Sequence, residues 1–196
     1  MATPKSQRIG IWIIAIVMMI GTLGSFAVMV LQSKNAQTDQ AAQNKLYEEY
    51  QKQMEAEEKR TKELSDKYYA TFKAYKNSPA VFDKESVGDN VITKDLKKGT
   101  GAVITKDTKY EAYYIGWNPR GKSFDSSFEG ESLKAPFDTS VLSPIKGWTD
   151  GVIGMKVGGV RQLTIPSDLA YGETGSGDDI PPNTPIKFIV MIVNTK

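Results

Sequence analysis

Hydrophobic and polar positions change their rhythm three times along the chain. Residues 9–31 hold no Asp, Glu, Lys or Arg and are almost wholly apolar. A helix of about 23 such residues rises roughly 34 Å, enough to span a bilayer. From about residue 36 to 76 the chain turns polar, rich in Ala, Gln, Glu and Lys, and neither Gly nor Pro occurs between Gly24 and Pro79. That composition predicts a long helix. From Asn77 onward, Pro79, Gly88, Gly99 and Gly101 punctuate short runs of β-branched and aromatic residues, the mark of strands and turns.

The apolar run reads as an uncleaved membrane anchor. A cleaved signal has an apolar region of about 7–15 residues and ends at a small-x-small site; this run is longer and no clear site closes it. Lys5 and Arg8 precede it, whereas Lys34 beyond it is offset by Asp39. The positive-inside bias therefore puts residues 1–8 in the cytoplasm and everything after 31 outside it. The expectation is a single-pass membrane protein that contacts the lipid bilayer through 9–31.

Residues 32–78 are expected to form a helical stalk. Glu48 and Lys52, Glu55 and Lys59, Glu58 and Lys62, and Glu63 and Lys67 all have the favourable acid-before-base order at i,i+4. A seven-residue repeat sets Tyr47, Met54, Thr61, Tyr68 and Tyr75 at one seam position and Tyr50, Glu57, Leu64 and Thr71 at the other. Glu57 and two threonines interrupt that seam, which leaves two readings open: a solvated single stalk on the order of 60 Å long, or a coil that self-associates weakly. As a solvated stalk it would expose Tyr47, Tyr50, Met54, Leu64, Tyr68, Phe72 and Tyr75, a surface able to hold unfolded chains.

Residues 79–196 read as the folded domain, with strands near 91–95, 102–105, 109–116, 160–166 and 186–195. The last alternates Ile186, Phe188, Val190 and Ile192 on one face with the apolar Ile189, Met191 and Val193 on the other, so it is expected to be central and covered on both sides. One short helix is expected where Ile145, Trp148, Val152 and Met155 recur at helical spacing before Gly158 and Gly159. The fold class is α+β, an antiparallel sheet with one helix packed against a face.

Composition narrows the chemistry. From residue 79 onward, 14 Lys and Arg face 15 Asp and Glu, so the domain has no basic stripe and nucleic acid is not an expected partner. The chain has no Cys and no His. Thiol nucleophiles, imidazole-based triads and imidazole or thiolate metal sites are thereby excluded, and any catalysis must proceed mostly without proton transfer. No cofactor is expected. Gly172, Gly175 and Gly177 suggest a phosphate-cradling loop, but no lysine follows and no helix opens behind them.

Four segments in order, YIGWNPRGKSFDSSF, PIKGWTDGVIGMKVGG, QLTIPSDLAYGETGSGDDIPPNTP and IKFIVMIV, resemble the signature of the FK506-binding-protein (FKBP) family of peptidyl-prolyl cis/trans isomerases. The resemblance covers roughly 110 residues. It implies an FKBP-like antiparallel sheet wrapped around one short helix and an apolar pocket with Trp148 as its floor. Tyr114, Phe124, Phe137, Ile145, Tyr171, Ile180 and Phe188 would be the walls, and Asp125 would reach in from a bulged strand to hydrogen-bond Tyr114. It further implies that the prolyl ring of an Xaa-Pro segment lies over Trp148. The N–H of Ile145 and the hydroxyl of Tyr171 would hold substrate carbonyls, with Asp125 supplying local polarity. FK506 or rapamycin are possible ligands of such a pocket, and a non-catalytic module that only holds proline-containing segments is the alternative use of it.

Overall fold

The computed structural model describes residues 36–196. The anchor expected at 9–31 and the first residues of the stalk lie outside the described residues. Among those described, no helix is long and apolar enough to cross a membrane.

Helix α1 runs Ala36–Phe72 and continues into a short 3-10 turn, Lys73–Tyr75. The absence of Gly and Pro and the dominance of strong helix formers account for its length. The chain nevertheless divides within this helix, into residues 1–56 and 57–196. In the first unit Tyr47 is largely exposed.

The second unit is built on a six-stranded antiparallel sheet. Its strands are β1 (Ile92–Lys97), β2 (Tyr110–Trp117), β3 (Ser123–Ser126), β6 (Phe137–Asp138), β7 (Val160–Ile165) and β8 (Ile186–Thr195), in the order β1-β7-β8-β2-β3 with β6 also on β2. The strands β4 (Phe128–Glu129) and β5 (Ser132–Leu133) form a separate hairpin. Helix α2 (Lys146–Val152) packs against β7.

As its two apolar faces required, β8 is interior, paired with β7 on one side and β2 on the other. Its Ile186, Phe188, Val190 and Ile192 join Trp148 and Val152 of α2 in one core. Its Ile189, Met191 and Val193 join Tyr113, Ile115 and Trp117 of β2 in a second core on the opposite face. What covers that second face is the end of α1.

This is where the stalk expected at 32–78 and the boundary expected at 79 need correction. Tyr68 is 8% exposed and Phe72 0%, and Phe72 stacks on Phe128 at 5.1 Å and 10°. The Tyr68 hydroxyl donates to the Val193 carbonyl at 2.9 Å, and the Leu133 N–H donates to Ser65 Oγ at 2.9 Å. Arg60 pairs with both oxygens of Glu111, which is 1% exposed, and Glu111 also accepts from Asn194 Nδ2 at 3.1 Å. Leu64, Ser65, Tyr68, Phe72 and Tyr75 recur at helical spacing, so one stripe of the helix meets the sheet. The lower half of the predicted seam is thus spent on the domain itself, and Leu64, Tyr68, Phe72 and Tyr75 are not a free binding surface.

Two further expectations change. Residues 102–105 form no strand, because Ala102 and Ile104 bond only the short stretch 154–157 between α2 and β7. That partner supplies a single bridge, Val103 to Lys156. Helix α2 also stops earlier than Gly158, since Ile153 is extended and Gly154 takes φ +80°.

Candidate functional site

The site lies on the α2 side of the sheet and is made of aromatic rings set by alternating residues. Tyr114 on β2 and Phe188 on β8 point to the same face, and α2 brings Trp148 between them. Ring centroids stand 5.4 Å apart for Tyr114 and Trp148, 5.0 Å for Trp148 and Phe188, and 6.2 Å for Tyr114 and Phe188. Phe137, from the two-residue β6, lies 5.6 Å from Trp148 and 6.1 Å from Tyr114, and Phe124 of β3 meets Phe188 edge-on at 5.5 Å. Gly116 makes this possible, because a Cβ there would sit 2.4 Å from Phe188 and 2.7 Å from Phe124.

The pairing of β2 with β3 slips between Gly116 and Trp117, so that Ser123 faces Trp117 while Asp125 faces Gly116. This bulge re-aims the strand, and the Tyr114 hydroxyl donates to Asp125 Oδ2 at 2.5 Å. The other oxygen, Oδ1, accepts the Ser126 N–H at 2.8 Å. Both carboxylate oxygens therefore hold partners, which suits a fixed local dipole better than a base. Burial, and then the neighbouring Asp125, push the Tyr114 phenol far above its ordinary value; the same two causes raise Tyr171.

Ile145 is the residue before α2, with extended backbone at φ −61° and ψ 156°. Its carbonyl accepts from Trp148 and Thr149, while its own N–H has no acceptor among the described residues. Pro144 before it removes only its own donor. Tyr171 follows the 3-10 turn Ser167–Leu169 and packs against the same core, as do Ile145, Tyr114 and Phe124, with Ile180 buried among them. All nine residues expected at the site therefore gather on this one face: Asp125, Tyr171 and Ile145 beside Tyr114, Phe124, Phe137, Trp148, Ile180 and Phe188.

Two positions went unnoticed in the sequence. Tyr110 is buried beneath Trp148 and accepts its indole N–H at 3.0 Å. Asn118, 1% exposed, accepts the N–H groups of Arg120 and Lys122 through Oδ1 and donates through Nδ2 to the Asp179 carbonyl at 2.7 Å. It thereby ties the β2–β3 turn to the loop that carries Ile180, a tie reinforced by the Lys122–Asp179 ion pair. Neither residue type carries a motif that would reveal it; each is found only through its partner. No group of three or more His, Cys, Asp or Glu suited to a metal occurs among the described residues.

The pattern has known counterparts. The profile of the FKBP-type peptidyl-prolyl cis-trans isomerases matches residues 101–193. The protein named FK506-binding protein in Neisseria meningitidis serogroup A is 38% identical over 104 residues, which cover 53% of this chain and 94% of that one. FK506-binding protein 4 of Dictyostelium discoideum is 40% identical over 124 residues, but this chain spans only 33% of its length. A peptidyl-prolyl cis-trans isomerase of Pseudomonas syringae pv. tomato, solved by crystallography, aligns with a TM-score of 0.48 at 32% identity, covering 66% of this chain and 92% of that chain.

Proposed function

This chain belongs to the FKBP-type peptidyl-prolyl cis-trans isomerases, and from that premise we propose that the aromatic pocket around Trp148 accelerates rotation about Xaa-Pro bonds in unfolded or nascent proteins. Such a bond resists rotation because resonance gives it double-bond character, with a barrier of roughly 18–20 kcal/mol. No proton need move. A twisted amide has lost its charge-separated resonance form, so withdrawing water costs it less than it costs the planar ground state. Each tenfold in rate asks for about 1.4 kcal/mol of that preference.

The observation that carries this reading is a wall of rings beside two backbone-scale hydrogen-bond groups. The prolyl ring lies on Trp148, between Tyr114, Phe137 and Phe188. The N–H of Ile145 and the hydroxyl of Tyr171 hold the carbonyls on either side of the rotating bond. Asp125 orients Tyr114 and supplies a fixed negative pole; it is not a general base, because rotation about the amide moves no proton. FK506 competes for the same rings, a reading supported by the names of the relatives, and rapamycin is expected to do the same.

The catalysis takes place at a membrane surface outside the cytoplasm, with residues 9–31 as the anchor and 1–8 on the cytoplasmic side. The uncharged apolar run and the placing of Lys5 and Arg8 support this. Protease protection of the intact chain in sealed vesicles tests the topology, and release of a chain lacking 9–31 from those vesicles tests the anchor.

A protease-coupled assay on Xaa-Pro tetrapeptides tests the chemistry. The expected result is a cis-to-trans rate constant that rises linearly with protein concentration and is abolished by FK506. FK506 binding, followed through Trp148 fluorescence, without any acceleration would favour the module that only holds proline-containing segments.

A further inference from the structure

The indole nitrogen is the one polar atom of the pocket floor, and the direction of its N–H decides what that floor offers a substrate. In the structure Trp148 Nε1 donates to the Tyr110 hydroxyl at 3.0 Å, and both side chains are 4% exposed. Tyr110 is itself held rigidly. Its N–H donates to Thr139 Oγ1 at 2.8 Å, and its carbonyl accepts from both the Thr139 hydroxyl and the Thr139 N–H, each at 3.0 Å. Thr139 directly follows β6, so the same clamp fixes Phe137, whose ring stands 5.6 Å from the indole.

We propose that Tyr110 is a positioning residue for the isomerisation: it draws the indole N–H of Trp148 into the core and so leaves the substrate-facing ring wholly apolar. The inference rests on the reading of this pocket as the isomerase site. A buried N–H without an acceptor is costly, and an indole freed of Tyr110 would turn that group, or a water bound to it, toward the pocket. A polar floor stabilises the planar, charge-separated amide more than the twisted state and so raises the barrier between them. Burial raises the Tyr110 phenol to about 12, so it stays a neutral acceptor throughout the working range.

The experiment is a double-mutant cycle in the full chain, read by the peptide assay and by the indole N–H resonance of Trp148, assigned through its loss in Trp148→Phe. Tyr110→Phe keeps the ring and removes only the acceptor. We expect kcat/KM to fall about tenfold, the resonance to move upfield and exchange faster with solvent, and the thermal midpoint to change little. In the Trp148→Phe background, where there is no N–H to hold, Tyr110→Phe should alter kcat/KM by less than about twofold. Equal losses in both backgrounds would show that Tyr110 acts on the fold, and unchanged kinetics beside a shifted resonance would show that the N–H direction is immaterial; either overturns the proposal. Should Tyr110→Phe fail to fold on its own, the same change in the Trp148→Phe background decides: it must fold there with kcat/KM within about twofold of Trp148→Phe, and failure to fold in that background as well would overturn the proposal. An inactive parent chain would instead overturn the assignment of the site itself, and this inference with it.

Discussion

The two faces of the sheet share their strands yet are finished differently. On the α2 face, Trp148 and Phe188 are buried at the bottom, while Tyr114, Phe124, Phe137 and Tyr171 are only partly covered and the Ile145 N–H has no acceptor among the described residues. On the α1 face, Tyr113 and Phe72 are wholly buried and Tyr68 and Arg60 are tied by hydrogen bonds to Val193 and Glu111. Consecutive residues of β8 serve the two sides in turn: Phe188 lines the pocket and Ile189 the sealed core. An enzyme needs one face that stays open to a substrate, and the free energy it forgoes there must come from elsewhere. Here the closing helix supplies it.

Five experiments would break or sharpen that division, the largest effect first. A chain beginning near Val81 keeps every pocket residue but uncovers Tyr113, Ile115, Trp117, Ile189, Met191 and Val193 together. We expect it to lose cooperative unfolding and to aggregate, whereas a chain beginning at Glu57 should fold; near-ultraviolet circular dichroism and sedimentation compare the two. The single-residue version, Phe72→Ala, should cost about 3–5 kcal/mol in denaturant unfolding, a large part of the roughly 5–15 kcal/mol that domains possess. A stable, monomeric chain from Val81 would mean that the helix is only a spacer.

Arg60→Ala should have a smaller effect, about 2 kcal/mol, because Arg60 is partly solvated and Glu111 retains Asn194 and Lys196 as partners. Its kcat/KM on a tetrapeptide should remain within about twofold of the parent at equal folded concentration. A tenfold loss of activity without unfolding would show that the sealed face communicates with the pocket.

On the open face the expected change in stability is smallest. Tyr171→Phe should lower kcat/KM about tenfold, as loss of one carbonyl-holding hydroxyl implies, and shift stability by less than about 1 kcal/mol. Activity of the parent should be flat from about pH 6 to 8. The sign follows from the phenols: Tyr114 and Tyr171 are raised by burial and by Asp125, so their protonated forms persist well above that window, and there is no histidine to titrate within it. Steep limbs inside the window would require a proton-transfer step and remove the mechanism.

Much of this was legible before any coordinates. The strand at 186–195 declared two buried faces by its uninterrupted apolar residues, and the nine residues that gather around Trp148 could be picked out because the family signature is carried by residue identity and order. The α2 register followed from Ile145, Trp148 and Val152. Less legible were the strands of two to four residues, β3 to β6, whose lengths are too short for a period to register. The strand expected at 102–105 failed for the related reason that β-structure depends on a partner, and its partner is a short turn-rich stretch.

The sequence by itself determined that the stretch from about residue 36 to 76 is helical, that β8 is covered on both sides, and that the chemistry uses neither thiol nor imidazole, since propensity, alternation and composition are properties of the chain alone. It also showed an apolar stripe along the second half of α1 without saying what the stripe meets. A seven-residue repeat of Leu64, Tyr68 and Tyr75 fits a partner helix or a twisted sheet equally well, because hydrophobic burial has no directional preference. Only the tertiary structure decided that Phe72 stacks on Phe128 and that Arg60 reaches Glu111. The same holds for Tyr110 under Trp148: a buried hydroxyl 38 residues from its indole becomes meaningful only when β2 and α2 are packed together.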